Sequence, residues 1–454
     1  MKKLTKMLPI LLLALSLTVP AMAYDAPVAA ASAEKGAVKP AQILIMNVNI
    51  FDGQNEKLIP KANVLVEGNR IKTISDKPIA AEGATVIDGG GRTLMPGLTD
   101  VHWHVMFNSP SIPILMTADM GYLTLLGAKS AEEDLLRGFT TVRDVGGNPF
   151  GIKKAIDQGL IPGPRIYPSG PMISQTSGHS DNRGPNEADV PIYLEKIHML
   201  AVADGVPDLM TAVRQNLRMG ATQIKISAGG GVSSNYDPLD VSQYTVEEMK
   251  AAVEVAKTWN TYVAIHANTD AAIQMSLNAG VLSVEHGFLM SEETVKLMAE
   301  KGAWFSMEPM LNDEDAIQFP AGSENQRKWI QVTDGTDKVI NLAKKYKVKT
   351  AFGSDILFDA EMGKKHGKLL AKLKRWYTPF ETLKMATSGN AELIKMCGPR
   401  DPYPGELGVV KEGALADLIL VNGNPLENID LVADPDKNFA VIMKDGKIYK
   451  NMVN

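Results

Sequence analysis

The hydrophobic pattern divides the chain into two β-rich ends and a long middle in which apolar runs alternate with helical stretches. Near the N-terminal end, apolar and polar residues alternate over Ile43–Val48 and Asn63–Glu67, and glycine-containing turns follow. The same alternation returns over Asp417–Val421 and Phe439–Met443. Period-two alternation with glycine turns is typical of β-strands. We therefore expect both ends to join in one small, β-sandwich-like domain that brackets the middle.

The middle contains eight apolar segments that we predict to be strands. These are Gly97–Val101, Thr140–Val145, Arg165–Ser169, Gln223–Ala228, Tyr262–Ala267, Leu282–His286, Trp304–Glu308 and Thr350–Asp355. Helices are predicted between them, including Thr245–Lys257, Ser291–Lys301 and Thr336–Lys345. Eight strand–helix units are typical of a (β/α)8 TIM barrel, which makes the predicted fold class α/β. The long segment Gly170–Val206, after the third strand, is predicted to be a functional loop.

The pattern also predicts where the domains begin and end. Residues 39–95 and 401–454 are assigned to the β domain, and residues 96–400 to the barrel. Residues 1–23 combine early lysines, an apolar run and small residues before a cut after Ala23, which indicates a signal peptide. Residues 24–38, rich in Ala, Pro and Ser, are predicted to be a disordered lead-in. We expect a periplasmic or secreted protein that is free of the membrane after cleavage, with an uncleaved anchor as the alternative.

Composition narrows the classes of partner and cofactor. The 454 residues carry a formal net charge of −5, with 45% hydrophobic and 22% charged residues. That balance is typical of a globular protein and lacks the basic excess of a nucleic-acid-binding one. Cys397 is the single cysteine, so an intramolecular disulfide and a cysteine-based metal cluster are excluded.

The histidines are placed where a barrel carries its chemistry. Active residues of a barrel lie at the C-terminal ends of its strands. His102 and His104 follow the first predicted strand, His266 ends the fifth, His286 ends the sixth and Asp355 ends the eighth. A lone histidine there is more often a hydrogen-bonded structural residue, and Asp355 alone could cap a helix. Four of the seven histidines at strand ends favour a divalent-metal site instead.

Lys225 lies in the fourth predicted strand between Ile224 and Ile226, so it points to the opposite face from its apolar neighbours, into the barrel. A buried ammonium there would be costly and would repel a cation. Reaction of the amine with carbon dioxide would give an anionic, bidentate carbamate and remove the conflict. The alternative is that Lys225 reaches solvent from the strand end.

With these residues in place, the chain resembles the amidohydrolase superfamily from about Ile43 to Lys450. The matching order is His-x-His after the first strand, Lys in the fourth, His after the fifth and sixth, and Asp after the eighth. Flanking segments agree: Thr93–Asp100, Val284–Gly287 and Gly413–Leu418. Within the superfamily, Gly163–Ile166, Thr176–Asp181 and Ile224–Val232 are similar to the dipeptidase-like branch, which includes Xaa-Pro and Xaa-Arg dipeptidase-like enzymes and ochratoxinase.

The resemblance implies a binuclear site with two divalent ions, zinc by preference. One ion would be held by His102, His104 and Asp355, the other by His266 and His286, with carboxylated Lys225 bridging them. A metal-bridging hydroxide would attack the carbonyl, and Asp355 would carry its proton to the leaving amine. The resemblance also implies that His179 and Tyr236 face the substrate as catalytic residues. Homo-oligomers are common in this branch.

The predicted function is hydrolysis of an amide or peptide bond in a small molecule, such as a dipeptide, an N-acyl amino acid or an ochratoxin-type amide. The alternatives are a hydrolase of cyclic amides or lactones and a catalytically silent metal- or ligand-binding protein.

Other charged residues are predicted to be structural. Arg143 and Asp144 are expected to pair with each other, and His198 and His366 to lie at the surface. The lysine-rich stretches 364–368 and 372–375 are expected to form a solvated helix face, with attraction of anionic substrates as the alternative.

Overall fold

The fold is described by a computed structural model over residues 40–453. The predicted signal peptide (1–23) and lead-in (24–38) lie outside the described residues, and both stay predictions. Residues from Ala41 onward form one unit. Within residues 40–453, no helix combines the length and the apolar character that crossing a membrane requires.

Strands from both ends of the chain form one mixed sheet, as the sequence predicts. Its strands are β1 (Gln42–Ile50), β2 (Ile59–Glu67), β3 (Arg70–Ser75), β4 (Thr85–Asp88), β5 (Thr93–Pro96), β16 (Leu418–Val421), β17 (Phe439–Lys444) and β18 (Lys447–Asn451). The order is β18-β17-β16-β5-β1-β2-β3, with β4 paired to β1. The two ends of the chain meet where β5 pairs antiparallel with β16, Pro96 opposite Leu418.

The middle of the chain forms a parallel barrel from ten short strands. These are β6 (Leu98–Trp103), β7 (Phe139–Asp144), β8 (Arg165–Pro168), β9 (Met172–Ser174), β10 (Leu200–Val202), β11 (Ile224–Ser227), β12 (Val263–Ala267), β13 (Ser283–His286), β14 (Trp304–Met307) and β15 (Lys349–Phe352). They form the series β6-β7-β8 and β10-β9-β11-β12-β13-β14-β15. Backbone hydrogen bonds bridge the two series, from Asp355 N to His102 O (2.9 Å) and from Thr222 N to Pro168 O (2.8 Å). The TIM-barrel prediction is confirmed.

All eight predicted strands are present, with ends that lie within three residues of the predicted ones, and the third is followed closely by a further strand. The third strand stops at Pro168, and the chain resumes as β9 only after Gly170 and Pro171. Gly170 has a φ of +74° and Pro171 has no amide hydrogen to donate, so the ladder cannot run through them. The segment predicted as one long loop therefore also contributes β9 and β10.

Fourteen α-helices surround the strands or cover the barrel ends within the described residues. They are α1 (Ile112–Thr117), α2 (Met120–Leu136), α3 (Phe150–Asp157), α4 (Tyr193–Lys196), α5 (Gly205–Met219), α6 (Val246–Thr258), α7 (Asp270–Ala279), α8 (Glu292–Lys301), α9 (Glu324–Lys345), α10 (Ala360–Gly363), α11 (His366–Lys372), α12 (Pro379–Lys384), α13 (Asn390–Lys395) and α14 (Pro435–Asn438). Thr245 and Ser291 cap α6 and α8 by accepting amide hydrogens from Glu248 and Thr294.

Helix α9 begins at Glu324, well before its predicted start at Thr336. Gly335 interrupts the helical pattern in the sequence, which is why the prediction begins after it. The structure shows a packing reason for this glycine. A Cβ atom at position 335 would lie 2.2 Å from the carbonyl oxygen of Phe288, so only glycine lets the helix pass this close to the loop after β13.

The largest apolar core lies between the barrel strands and their helices. Ile224 and Ile226 of β11 belong to it, together with Leu217 of α5 and Val253 of α6. Lys225, between the two isoleucines, instead lines the cavity at the barrel mouth. The alternation along β11 thus separates packing residues from site residues.

Candidate metal centre and active site

The barrel brings the four strand-end histidines into one cluster. The ring centroids of His102 and His104 are 5.3 Å apart, those of His102 and His286 are 4.8 Å apart, and those of His266 and His286 are 4.5 Å apart. All four residues are at least 95% buried. Residues up to 184 positions apart in sequence therefore meet at one point, because parallel strands end at the same edge of a barrel.

Asp355 completes a ligand group with the first histidine pair. Its Oδ1 atom lies 3.4 Å from His102 Nε2 and 3.5 Å from His104 Nε2. Burial raises the pKa of Asp355, but the adjacent histidines outweigh burial and hold the pKa below its ordinary value. Close passage of β15 past β6 depends on Gly353, where a Cβ would lie 2.3 Å from that of His102. The donor set of imidazole nitrogens and a carboxylate is suited to a divalent metal ion.

Two buried glutamates orient the histidine rings, and sequence reasoning missed their role. His102 Nδ1 lies 3.0 Å from Glu285 Oε2, and His286 Nδ1 lies 2.9 Å from Glu308 Oε2. Glu308 Oε1 also approaches His102 Nδ1 at 3.1 Å, and this glutamate forms a second metal-compatible group with the two histidines. A carboxylate on one ring nitrogen fixes the ring and leaves the other for a metal. The available signal was position, since both glutamates end barrel strands.

Lys225 is buried, with 1% of its surface exposed. Among residues 40–453, none forms a hydrogen bond or an ion pair within 4.0 Å with its ammonium group. Burial lowers the pKa of Lys225, although Glu285 and Asp355 act in the opposite direction. A lysine that is buried without a partner, beside metal-type ligands, fits a neutral or modified amine better than a bare cation.

The structure brings one of the two predicted substrate-facing residues to the cluster. The ring of His179 stacks on that of His266, with centroids 3.9 Å apart and an angle of 8° between planes. Tyr236 does not join them: it is 47% exposed and does not line the cavity. Its carbonyl accepts a hydrogen bond from Ser177 Oγ, so the backbone of Tyr236 holds the loop while its side chain points outward. A catalytic role for Tyr236 finds no support in this placement.

The predicted pairing of Arg143 with Asp144 is wrong. Arg143 does not pair with Asp144 but forms a fully buried ion pair with Glu285, in which its Nη2 donates to both carboxylate oxygens at 2.7 and 2.8 Å. Asp144 accepts the backbone amides of Val105 and Gly146, and burial raises its pKa to about 7. Because Glu285 also contacts His102, the Arg143–Glu285 pair extends a buried charge network to that histidine.

His366 is not a surface residue. It is fully buried between two carboxylates, with Nε2 2.7 Å from Asp100 Oδ2 and Nδ1 3.0 Å from Asp134 Oδ1. Its ring also stacks on Phe139 with centroids 3.4 Å apart. The prediction failed because a lysine-rich run in sequence does not show that one position faces inward. His198 is exposed, as predicted.

The lysines around His366 are neither fully solvated nor free for an anion. Lys365, Lys368 and Lys372 converge on Asp315, whose oxygens lie 2.8–2.9 Å from their Nζ atoms. Asp315 belongs to the segment after β14, so these ion pairs join that segment to α11.

A cavity of about 680 Å³ opens over the histidine cluster. His102, His104, His266, His286, Lys225 and Asp355 all line it, as does His179. Much of the remaining wall is apolar and includes Phe107, Leu115, Met310, Leu311, Ile317, Phe319 and Leu357. Small-molecule sites combine an apolar wall with a few convergent polar groups in this way. The cavity therefore has the form of a substrate site built around the candidate metal ligands.

Comparison with known proteins assigns the fold and site to a family. The amidohydrolase family model matches residues 93–454, and the chain belongs to this family. Ochratoxinase of Aspergillus niger is 34% identical over 373 residues, which cover 79% of this chain and 75% of the relative. A prolidase complexed with N-methylphosphonate-L-proline is 34% identical with a TM-score of 0.84, covering 90% of this chain and 100% of the other. A Xaa-Pro dipeptidase with bound methionine is 29% identical with a TM-score of 0.78, covering 90% and 100%.

The chain is therefore a metal-dependent hydrolase of carbon–nitrogen bonds in amides or peptides, as the sequence predicts.

Proposed function

We propose that this enzyme cleaves the amide bond of N-acyl amino acids or dipeptides whose acyl side is bulky and apolar. The observation that carries the proposal is the cavity, where apolar side chains stand directly over the cluster of histidines, Asp355 and Lys225. The relatives named as an ochratoxinase, a prolidase and a Xaa-Pro dipeptidase support an amide of an amino acid as the substrate class.

The metal ligands in this proposal are the six residues that the cluster contains. His102, His104 and Asp355 would hold one zinc ion, and His266 and His286 the other, with Lys225 between them. Bound divalent ions supply a water of lowered pKa and polarise the substrate carbonyl. Glu285 and Glu308 keep the imidazoles of His102 and His286 oriented for this task.

Lys225 would serve as a carbamate. Its amine would add to carbon dioxide, forming a nitrogen–carbon bond and releasing one proton, and the product would carry a negative charge and two oxygen atoms. Burial supports this reaction because it favours the neutral amine, which is the form that adds to carbon dioxide.

Asp355 would move the proton. Its carboxylate accepts the proton that the attacking water loses and delivers it to the leaving nitrogen, so that the amine departs neutral. His179, stacked beside His266 at the cavity wall, would contact the substrate. The site of action would be periplasmic or extracellular, on the basis of the signal-like residues 1–23.

A series of substrates with one leaving amino acid tests the proposal. We expect the zinc-loaded enzyme to hydrolyse N-benzoyl- and N-naphthoyl-L-phenylalanine with a kcat/KM about 10-fold or more above that for N-acetyl-L-phenylalanine, because larger acyl groups bury more apolar surface. A hydantoin and a lactone serve as cyclic comparisons. Faster turnover of either cyclic compound, or equal rates across the acyl series, would contradict the proposal.

Two isoleucines provide a matched pair of variants. Ile317 lines the cavity and is 43% exposed, whereas Ile330 is 42% exposed and lies outside the cavity lining. We expect Ile317→Ser to raise KM for the benzoyl substrate about fivefold, since about 1 kcal/mol of apolar contact is lost, and to spare the acetyl substrate. Ile330→Ser should change neither. Equal effects of the two variants would remove the cavity wall from substrate recognition.

A further inference from the structure

A buried lysine outside the candidate ligand set organises the loop that follows β11. Lys328 of α9 is 2% exposed, and its Nζ donates to the carbonyl oxygens of Gly231 (3.0 Å), Ser234 (3.0 Å) and Asp237 (2.9 Å). An ammonium group has three hydrogens to donate, so all of them are used on one loop. Asn325, one turn earlier, donates to the same loop at Val232 and Ser234. The loop is therefore fixed from the first turns of α9.

This loop presents two oxygen atoms to one nitrogen of His179. His179 Nδ1 lies 2.8 Å from Ser234 Oγ and 3.2 Å from Asp237 Oδ2. The Ser234 hydroxyl also lies 3.3 Å from Gly231 O, so it has an acceptor other than His179 for its hydrogen. The Asp237 carboxylate also accepts, because neighbouring hydrogen bonds outweigh burial and hold its pKa below the ordinary value. Since an ionised carboxylate can only accept, the contact with Asp237 favours a hydrogen on Nδ1.

Packing also holds the ring of His179 in place. One face stacks on His266 at 3.9 Å. Gly231 lies where the two stacked rings meet the loop: a Cβ atom there would lie 2.0 Å from His179 Cε1 and 2.8 Å from His266 Nε2, so only glycine allows the loop to approach this closely. Among residues 40–453, none forms a hydrogen bond with His179 Nε2. That nitrogen is the one available to a molecule in the cavity.

We propose that Asp237 is a positioning residue, which fixes His179 with Nδ1–H toward the loop and the bare Nε2 toward a donor group of the substrate, such as its amide N–H. The inference rests on the proposed function, in which His179 contacts the substrate. Asp237 Oδ1 is buried without a hydrogen-bond partner, and the Lys328 ammonium lies 3.9 Å away. An asparagine would fill the same space and could still accept the Gly231 amide, so its structural cost is small. In the other orientation of the side-chain amide, its NH2 group would replace Oδ2, give up the Gly231 contact and donate to Nδ1, which favours the wrong tautomer of His179.

A double-mutant cycle separates positioning from a structural role. We expect Asp237→Asn to lower kcat for N-benzoyl-L-phenylalanine by about 10²-fold, because the carboxylate that orients a histidine also fixes which ring nitrogen carries the hydrogen. In the His179→Ala background, the same substitution should cost less than twofold, since a residue that acts only through His179 has nothing left to position. Zinc content should stay that of the wild type. Equal losses in both backgrounds would overturn the inference.

Asp181→Asn is the matched control. Asp181 is a half-buried residue in the same loop as His179, but its carboxylate accepts from Ser177 N and Arg183 rather than from His179. We expect the kcat of this variant to stay within about twofold of the wild-type value, because the loss of one partly exposed ion pair has a small effect. A loss as large as that of Asp237→Asn would show that any weakened loop impairs turnover and would overturn the inference. If Asp237→Asn does not fold, Ser234→Ala, which removes the other oxygen at Nδ1, takes its place in the double-mutant cycle with His179→Ala.

The tautomer of His179 can also be measured by NMR, independently of enzyme activity. Long-range ¹H–¹⁵N spectra of histidine-labelled wild type, with the His179 signals assigned by their loss in His179→Ala, should show a protonated Nδ1 on His179. A bare Nδ1 would overturn the inference even if the enzyme is active. If Nδ1 is protonated but the wild type cleaves no amide in the series, the proposed function fails while the positioning stands.

Discussion

Two of the candidate metal ligands have a left-handed backbone conformation, which residues other than glycine rarely adopt. Asp355 has a φ of +47° and His286 a φ of +73°. Residues in this left-handed region cost on the order of 1–3 kcal/mol and persist where the surroundings fix them. For Asp355 the fixing contact is its amide, which donates to His102 O at 2.9 Å. The strain thus places the carboxylate against the histidine pair.

Asp355→Asn should separate metal binding from proton transfer. An amide oxygen can still serve as a ligand, but an amide cannot accept and return a proton. We expect the variant to keep most of its zinc and to lose about 10²–10⁴-fold in kcat. Metal analysis and steady-state kinetics on the same sample provide the check, and near-normal turnover in a metal-replete variant would assign proton transfer to another group.

In the proposed site, a carbamate on Lys225 is the group that allows a second ion to bind. We expect Lys225→Ala to bind fewer than two zinc ions per chain, because the bridging carboxylate-like group is lost. Lys225→Glu should recover part of the second ion, since its shorter side chain offers a similar anionic group. Two ions per chain with unchanged turnover in Lys225→Ala, measured without added carboxylate, would leave Lys225 a structural residue.

At the scale of elements, sequence periodicity located the barrel strands because each combines an apolar run with a polar end. It could not locate what depends on contacts between distant segments. In the sequence, Gly335 looked like a break before a helix. Its packing partner, Phe288, lies on another element, so the sequence could not show that the helix continues through it. Glu308 follows a strand and Asp237 lies within a loop, and neither position shows in the sequence that the side chain faces a histidine. The ligand candidates were predictable because a barrel fixes where strand ends meet.

His366 joins three elements and makes their packing depend on pH. It begins α11 and lies between Asp100 of β6 and Asp134 of α2, with Arg137 also pairing to Asp134. Burial lowers the pKa of His366, but hydrogen bonds to the two carboxylates outweigh burial and raise it above its ordinary value. A raised pKa in the folded state means that the protonated form stabilises the fold.

We therefore expect the stabilisation by His366 to be complete below pH ~6.5, the ordinary histidine pKa, and to be lost as pH rises through the raised value. His366→Asn should lower the free energy of unfolding by about 3–5 kcal/mol at pH 6, because two buried carboxylates lose their partner. The difference in melting temperature between wild type and variant, followed from pH 5.5 to 9, should shrink with rising pH. A constant difference over that range would show that His366 packs without carrying charge.

At the scale of the whole molecule, the β sheet from both chain ends and the barrel belong to one described unit, and the site lies at the barrel mouth. Where the protein works depends on residues 1–23. We expect the mature chain to begin near Tyr24 and to be recovered outside the cytoplasm without detergent. N-terminal sequencing of periplasmic and membrane fractions checks this, and an intact N-terminus in washed membranes would contradict it.

The central claim is that amide hydrolysis requires two metal ions held by the histidine, lysine and aspartate cluster. Titration of metal-free protein with zinc, while hydrolysis of N-benzoyl-L-phenylalanine is followed, tests the claim most directly. We predict no turnover without metal and activity that rises to a plateau at two equivalents per chain. Full turnover in the metal-free protein, or a plateau at one equivalent, would contradict the claim.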